Sequence, residues 1–360
     1  MATMKVLSLF SGCGGMDLGM SGGFSYLGKD YERHPFDIVF AQDFDPNCTR
    51  IYNGNFEKHS IVGDVRDIII DSLPQFDILI GGFPCQSFSI VAQNPPRLGC
   101  KDEDKGLLYR EMVRILAERQ PRFFIAENVK GLLSANKKQA FKLIIKEFSE
   151  AGYHLRYKVL NAADYGVPQK RERVIIIGFR RYKDFNNFSF PTPVDSTEKK
   201  VLGDVISEAA NKSERLYFSE KAVEGMLKQR NRMSKGRVQV LSEPCNTVSA
   251  HLAKVSLNSF DPVIQVNGRY RRFSTEEAAG IQSFPDSFDF KMVSEPCQYR
   301  AIGNAVPPVM MWHIANALKR TISKRAAYKT IVTPLYKEIT FTEEGYLINE
   351  DILNLELNKK

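Results

Sequence analysis

Through its first half the chain alternates short, nearly continuous apolar runs with stretches whose apolar residues recur every three or four positions. Few architectures accept that alternation. The runs Val6 to Phe10, Asp37 to Ala41, Phe76 to Ile80, Phe123 to Ala126 and Val174 to Phe179 are bounded by turn residues and read as strands buried on both faces. Between them, Leu108, Met112 and Ile115 fall at i, i+4 and i+7, and Phe141, Ile144, Ile145 and Phe148 at i, i+3, i+4 and i+7. Each set marks a helix with one buried face. Strand, helix and strand in repetition imply an α/β fold with a parallel sheet covered on both sides and ligands at the carboxyl ends of its strands. The chemistry is therefore expected just after each strand.

The alternation stops near Arg180, and at roughly 150 residues per domain a chain of 360 residues suggests about two domains. Residues 1–180 form the expected catalytic and cofactor-binding domain. Residues 181–270 are irregular, with Pro191, Pro193 and a basic stretch from Lys228 to Arg237, and form a candidate second, smaller domain. Residues 271–325 restore order and are expected to return to the large domain: Ser274 and Glu277 have capping-box spacing, and a last helix is expected from Pro308 to Ser323. The tail, residues 326–360, has no functional reading. A net charge of +8 permits a polyanionic partner. The six cysteines contain no Cys-x-x-Cys pair and the five histidines no ligand-spaced cluster, so neither structural zinc nor a disulfide framework is expected. The apolar run after the N-terminus is too short for a signal peptide, and none approaches the ~18 residues of a membrane span. A cytoplasmic protein is expected.

Directly after the first strand come Phe10, Ser11, Gly12, Cys13, Gly14 and Gly15, whose glycines let backbone approach a ligand. Such loops serve dinucleotides, phosphates and adenosyl cofactors, and also occur as structural turns. Asp43 at the end of the second strand suits ribose hydroxyls, Phe44 beside it suits a purine face, and Asp64 suits an adenine amino group; as cap or turn residues the two aspartates have an equally good explanation. Gly81-Gly82-Phe83-Pro84-Cys85-Gln86 places a cysteine at a strand end before a polar loop, as for a nucleophile, although a free cysteine also serves as a small buried hydrophobe. The next strand ends in Ala126-Glu127-Asn128-Val129. A third element, Gln169-Lys170-Arg171-Glu172-Arg173, brings two arginines that suit an oxygen-rich ligand or a solvated face.

The ordered set of Phe-Ser-Gly-Cys-Gly-Gly, Gly-Phe-Pro-Cys-Gln, Glu-Asn-Val and Gln-Lys-Arg-Glu-Arg resembles the cytosine-C5 DNA methyltransferases of bacterial restriction-modification type. Arg272 to Ala279 leading to Gln282-Ser283-Phe284-Pro285-Asp286, and then Ile302-Gly303-Asn304-Ala305-Val306-Pro307-Pro308, look like that family's ninth and tenth blocks. The resemblance runs from about Lys5 to Ser323. Asp43 stands where the family usually has Glu, and Lys170 fills a variable place.

The resemblance implies a Rossmann-like methyltransferase fold with a smaller target-recognition domain, S-adenosylmethionine as methyl donor and no metal. It implies Cys85 as the nucleophile toward carbon 6 of cytosine, Glu127 at N3 and Arg173 at O2, with Arg171 nearby. Val65, Pro84, Asn304 and Ala305 join the cofactor site. The substrate is a cytosine flipped out of double-stranded DNA. The loop from Gln86 to Asp104 becomes its lid, with Ser89, Ile90, Val91 and Gln93 near DNA. Recognition falls to residues 181–270, with Arg230, Arg232, Arg237 and Thr247 as candidate contacts. The enzyme is expected to act as a monomer in the cytoplasm, at the nucleoid, with a cognate restriction endonuclease as a possible companion. A nicotinamide dehydrogenase has no use for Pro84-Cys85 beside Glu127-Asn128. A tRNA methyltransferase of this fold typically carries a Cys-Phe-Thr that is absent here. A non-catalytic DNA-binding protein on the same scaffold has no need of Cys85, Glu127 and Arg173 together.

Overall fold

The computed structural model describes residues 2–57, 59–84, 107–228, 237–254, 261–323, 340–341 and 347–348. Its centre is a seven-stranded sheet of β1 (Met4–Leu9), β2 (Phe36–Asp43), β3 (Ser60–Val62), β4 (Ile78–Gly82), β5 (Phe123–Val129), β6 (His154–Asn161) and β7 (Glu172–Phe179). The helices that flank or follow it are α1 (Gly15–Ser21), α2 (Pro46–Asn55), α3 (Tyr109–Arg119), α4 (Gln139–Glu150), α5 (Thr275–Ile281), α6 (Glu295–Asn304) and α7 (Pro308–Ser323). Strand order is β3-β2-β1-β4-β5-β7-β6. This is a mixed α/β, Rossmann-like architecture.

Side chains alternate across the strands and sort the core into two layers. Val6, Ile38, Ile80 and Ile177 pack with α1 and α7 on one face; Leu7, Leu79, Phe124 and Ile176 pack with α3 and α4 on the other. The expected helices thus cover the sheet with the apolar faces their spacing marked. β3, β2, β1, β4 and β5 are parallel, as expected, but β7 runs antiparallel to both β5 and β6. The expectation of a wholly parallel sheet is corrected there. β6 lacks a continuous apolar run because it lies at the sheet edge, where Arg156 and Lys158 alternate with apolar neighbours. The connection from β6 to β7 is short and carries no crossover helix, so the strands return as an antiparallel pair.

The last helix closes against the first. Gly15 and Gly19, one turn apart on α1, face the Val306 and Pro308 carbonyls, and a Cβ on Gly19 would stand 2.6 Å from Met311 Cβ. A third apolar cluster joins Cys13 and Ile51 to Val248, Leu252, Phe273 and Ile302. Beside it lies a wholly buried ion pair, Arg271 Nη2 to Glu277 Oε1 at 2.7 Å. Glu277 also completes the expected capping box, with Ser274 Oγ accepting from Glu277 N at 3.1 Å and Glu277 Oε2 from Ser274 N at 2.9 Å. Among the described residues no helix is long and apolar enough to cross a membrane.

Two outcomes follow from this packing. Gly19→Ala should destabilise the protein by about 1–3 kcal/mol through overpacking, against a gain of about 1 kcal/mol expected from helix propensity alone; urea unfolding distinguishes the signs. Burial pushes His34, His154 and His313 each down to about 4. Unfolded imidazole titrates near ~6.5, so the stability these groups contribute is complete above that value and lost as pH falls toward 4. Asp17, pushed up to about 7 by burial, and Asp43, also raised by burial, act in the opposite sense but are two groups against three. The melting temperature should therefore fall between pH 6.5 and 4, and a flat profile would count against neutral buried imidazoles.

Candidate active site

β1 pairs with β2 on one side and β4 on the other, so the chain changes direction across the sheet at the carboxyl ends of these strands. A crevice opens at such a point. The loop that follows β1 is bent by positive φ at Phe10 (53°), Gly12 (56°) and Gly14 (93°), a conformation costly for phenylalanine. Ser11 N donates to the Gln42 carbonyl at 3.0 Å, Gly12 N to Asp43 Oδ2 at 2.7 Å, and Gly14 N to the Ser11 carbonyl at 2.9 Å. The Ser11 and Ser60 hydroxyls lie 3.1 Å apart. Open space borders Gly12 and Gly63, where an added Cβ would meet nothing within 4 Å.

The expected cofactor residues differ in their settings. Phe44 is 75% exposed at the end of β2, a flat apolar face held in solvent. Asp43 turns one oxygen to Gly12 N and the other to Asp45 N at 2.8 Å, and burial raises its pKa. Asp64 is paired with Arg66 at 2.6 Å, and that hydrogen bonding lowers its pKa. Val65 is buried, Pro84 partly buried, Asn304 exposed, and Ala305 buried. Cys13 is buried; its thiol, pushed up to about 12 chiefly by burial, faces the Ala301 carbonyl at 3.7 Å. Gly14 lies against Phe56, and Gly15 packs against α7's approach.

On the other side of β4, Glu127 ends β5 in a largely buried position, with Oε1 2.9 Å from Arg173 Nε on β7. A Cβ on Gly82 would stand 3.1 Å from Glu127 Oε2, so glycine there keeps the carboxyl accessible from β4. Asn128 Nδ2 donates to the Phe83 carbonyl at 2.8 Å, while its Oδ1 accepts from Val129 N at 2.8 Å. That amide fixes the turn leading into Pro84 and Cys85 relative to Glu127. Cys85 itself lies outside the described residues, as do Gln86, Ser89, Ile90, Val91, Gln93, Arg230 and Arg232. Arg237 is described: its Nε donates to the Asp261 carbonyl at 3.1 Å, and burial lowers its pKa. Thr247 is exposed, and its hydroxyl donates to the Lys170 carbonyl at 2.8 Å.

Arg171 has a different setting from Arg173. It is buried, with Nη1 donating to the Val248 carbonyl at 3.1 Å and Nη2 to the Gly303 and Ala305 carbonyls at 2.9 and 3.0 Å. Burial and the Arg173 charge lower its pKa strongly, while Glu127 opposes them. Gln169 Nε2 donates to Gln282 Oε1 at 2.6 Å, and Gln282 Nε2 to the Ile302 and Ala305 carbonyls at 2.7 and 3.0 Å. Gln169 Oε1 accepts from Val248 N at 3.0 Å. Gln169, Gln282 and Asn128 stood inside recognised motifs but carried no assigned role, because nothing in a sequence says which glutamine will be buried. Asp17, wholly buried beneath the glycine loop, was likewise passed over; its only signal was its place in the first turn of α1. Arg171→Met should cost upward of about 2 kcal/mol, since the buried Val248 and Gly303 carbonyls lose their donor at roughly 1–3 kcal/mol each while the Ala305 carbonyl keeps Gln282; denaturant unfolding measures it.

Comparison with known proteins bears on what this arrangement is. The C-5 cytosine-specific DNA methylase family matches residues 4–320. The chain is 37% identical over 350 residues to the Type II methyltransferase M.FnuDI of Fusobacterium nucleatum, covering 91% of this chain and 97% of that one. It is 34% identical to the Type II methyltransferase M.NgoPII of Neisseria gonorrhoeae, with 89% and 97% covered. The solved structure of the S. pombe Dnmt2 methyltransferase superposes with a TM-score of 0.68 at 19% identity over 88% of this chain and 98% of that one, which speaks for the fold alone. With the family matched over residues 4–320 and Glu127, Asn128 and Arg173 meeting beside Pro84, the chain belongs to the C-5 cytosine-specific DNA methylases and is a DNA cytosine-5 methyltransferase.

Proposed function

We propose that the protein transfers a methyl group from S-adenosylmethionine to carbon 5 of a cytosine flipped out of a specific double-stranded DNA sequence, through a covalent bond from Cys85 to carbon 6. The observation that carries this reading is the Glu127–Arg173 pair, 2.9 Å apart at the carboxyl edge of the sheet, beside a turn that Asn128 ties down one residue before Pro84.

The residues around the glycine loop fit the cofactor. S-adenosylmethionine supplies a methyl group activated by a sulfonium charge. Phe44 offers its exposed ring to the adenine. Asp43 has lone pairs left for ribose hydroxyls, and Asp64 accepts the adenine amino group by loosening its grip on Arg66. Phe10 to Gly15, Val65, Pro84, Asn304 and Ala305 line the remainder. Asp17 and Asp43 are both buried or nearly so, and no lysine, arginine or histidine is ion-paired with either among the described residues. A loop flanked by two such carboxyl groups favours a cation and disfavours the pyrophosphate of a dinucleotide.

At the base, the Cys85 thiolate adds to carbon 6, Glu127 gives a proton to N3, and Arg173 bonds to O2, so that the electron pair reaches carbon 5. Carbon 5 takes the methyl group. Loss of its proton then expels the sulfur and restores the ring. Arg171 takes no part in that transfer: it holds the segment that presents Arg173. Gln86, Ser89, Ile90, Val91 and Gln93 belong to the lid over the flipped base. The division into residues 1–180, 181–270 and 271–325 is one of catalysis, recognition and closure; Arg230, Arg232, Arg237 and Thr247 contact DNA. The Type II names of the relatives support a restriction-modification role with a companion endonuclease, for a monomer acting on DNA in the cytoplasm, at the nucleoid.

Bisulfite sequencing of DNA from cells expressing the chain should show converted-resistant cytosines in one sequence context; their absence would sink the reading. Cys85→Ser should abolish methyl transfer and trapping on 5-fluorocytosine DNA while leaving cofactor binding intact, and Glu127→Gln should slow single-turnover methylation at least tenfold, within the usual range for general acids.

A further inference from the structure

Asp17 occupies an unusual place for a carboxyl group. It stands in the first turn of α1 beneath the glycine loop, 0% exposed, with Oδ2 accepting from Ser8 Oγ at 3.0 Å and Oδ1 from Tyr52 OH at 3.1 Å. Ser8 and Tyr52 are buried as well, so the group lies sealed at the meeting of β1, α1 and α2. The surrounding elements bring no compensating cation. β2 contributes Asp43, the loop Cys13, and α2 Tyr52 and Cys48. α7 meets α1 through Met311 and the Pro308 carbonyl, while its His313 meets the Tyr31 and Trp312 rings edge-on. Every ionisable group acting on Asp17 is thus neutral or acidic; one cation, Arg300 on α6, acts on Cys48.

A sealed carboxylate without a cation costs free energy, and the two hydroxyl donors only partly offset that. Burial therefore pushes the Asp17 carboxyl up to about 7, leaving the free protein near half-protonated at neutral pH. The cofactor proposed for the loop above it changes charge during the reaction. The sulfonium donor carries one positive charge more than the thioether it becomes.

We propose that Asp17 lets the cofactor site distinguish S-adenosylmethionine from its product S-adenosylhomocysteine, by giving its proton to solvent when the sulfonium binds and recovering one after the methyl group has left. The inference rests on the cofactor reading above. Asp17 touches neither base nor methyl group; it is a positioning residue acting through charge beneath the loop. By linkage, affinity for the sulfonium form rises with pH across about 6 to 8 and affinity for the thioether stays flat. Methyl transfer removes the charge that held the cofactor and so favours release of the product.

Calorimetric titration of the full chain in buffers of different ionisation enthalpy tests this directly. At pH 7 the parent should release about half a proton on binding S-adenosylmethionine and close to none on binding S-adenosylhomocysteine. Asp17→Asn keeps the shape and one acceptor, and should give the same proton count for both ligands and a preference for the sulfonium form reduced roughly tenfold at pH 8. Without ligand, an Asp value raised in the fold removes stability as pH rises from the unfolded value of ~3.9 to about 7, so Asp17→Asn should lose that decline. Tyr52→Phe, which removes a donor to the carboxylate, should move proton release to higher pH. Binding of the sulfonium form without proton release, or an Asp17→Asn variant that keeps the parent's difference between ligands, would overturn the proposal. Failure of the parent to bind either compound would overturn the cofactor reading and this inference with it.

Discussion

The site depends first on how an irregular part of the chain satisfies its own backbone. Residues 245–248, 281–282 and 302–305 approach one another with little regular pairing between them, and buried carbonyls in such a place cost roughly 1–3 kcal/mol each if left without donors. Arg171, Gln169 and Gln282 supply those donors from side chains. A guanidinium is suited to this, since its fixed fork serves several acceptors at once and keeps its charge under strong desolvation. Two residues along, Arg173 begins its reach to Glu127. The arginine that meets Glu127 is therefore placed by the arginine that ties three segments together, and a change in either the segment at Val248 or the segment at Ala305 is felt at the same anchor.

A second constraint is electrostatic. The two halves of the crevice carry opposite arrangements: carboxyl groups without cations around the glycine loop, and a carboxyl group matched to an arginine at the end of β5. The first half suits a ligand that brings positive charge. The second suits one that presents a donor-acceptor edge and changes its charge distribution during reaction. Asn128 stands between the two halves, giving its amide to the backbone before Pro84 and so joining the strand of Glu127 to the turn that follows β4.

The order of strands and helices was readable because burial on both faces leaves apolar runs, and burial on one face leaves a helical period. Every parallel strand with a continuous run was visible in this way. β6 was not, because Arg156 and Lys158 break its pattern at the sheet edge, and the antiparallel return of β7 depends on a short connection rather than on composition. Of the site, Glu127, Arg173, Phe44 and the glycine loop were legible as residue types suited to a task. The division of labour between Arg171 and Arg173 was not, since two arginines separated by one residue look alike until one is found buried among carbonyls and the other beside a carboxylate. Asp17 was hidden for a related reason: a sequence shows the acid but not the seal around it.

The close seating of α7 on α1 has a consequence for how the enzyme comes into being. The glycine loop leaves a ribosome well before the helix that packs against Gly15 and Gly19, which is specified some 290 residues later, at Pro308 to Ser323. Until that stretch emerges, one face of the sheet lacks Met310, Met311 and Ile314, and the nascent chain exposes a broad apolar surface. The same geometry sets a limit on truncation: a chain cut before Pro308 leaves the Gly15 and Gly19 face of α1 and the core residues under Met310, Met311 and Ile314 without their cover.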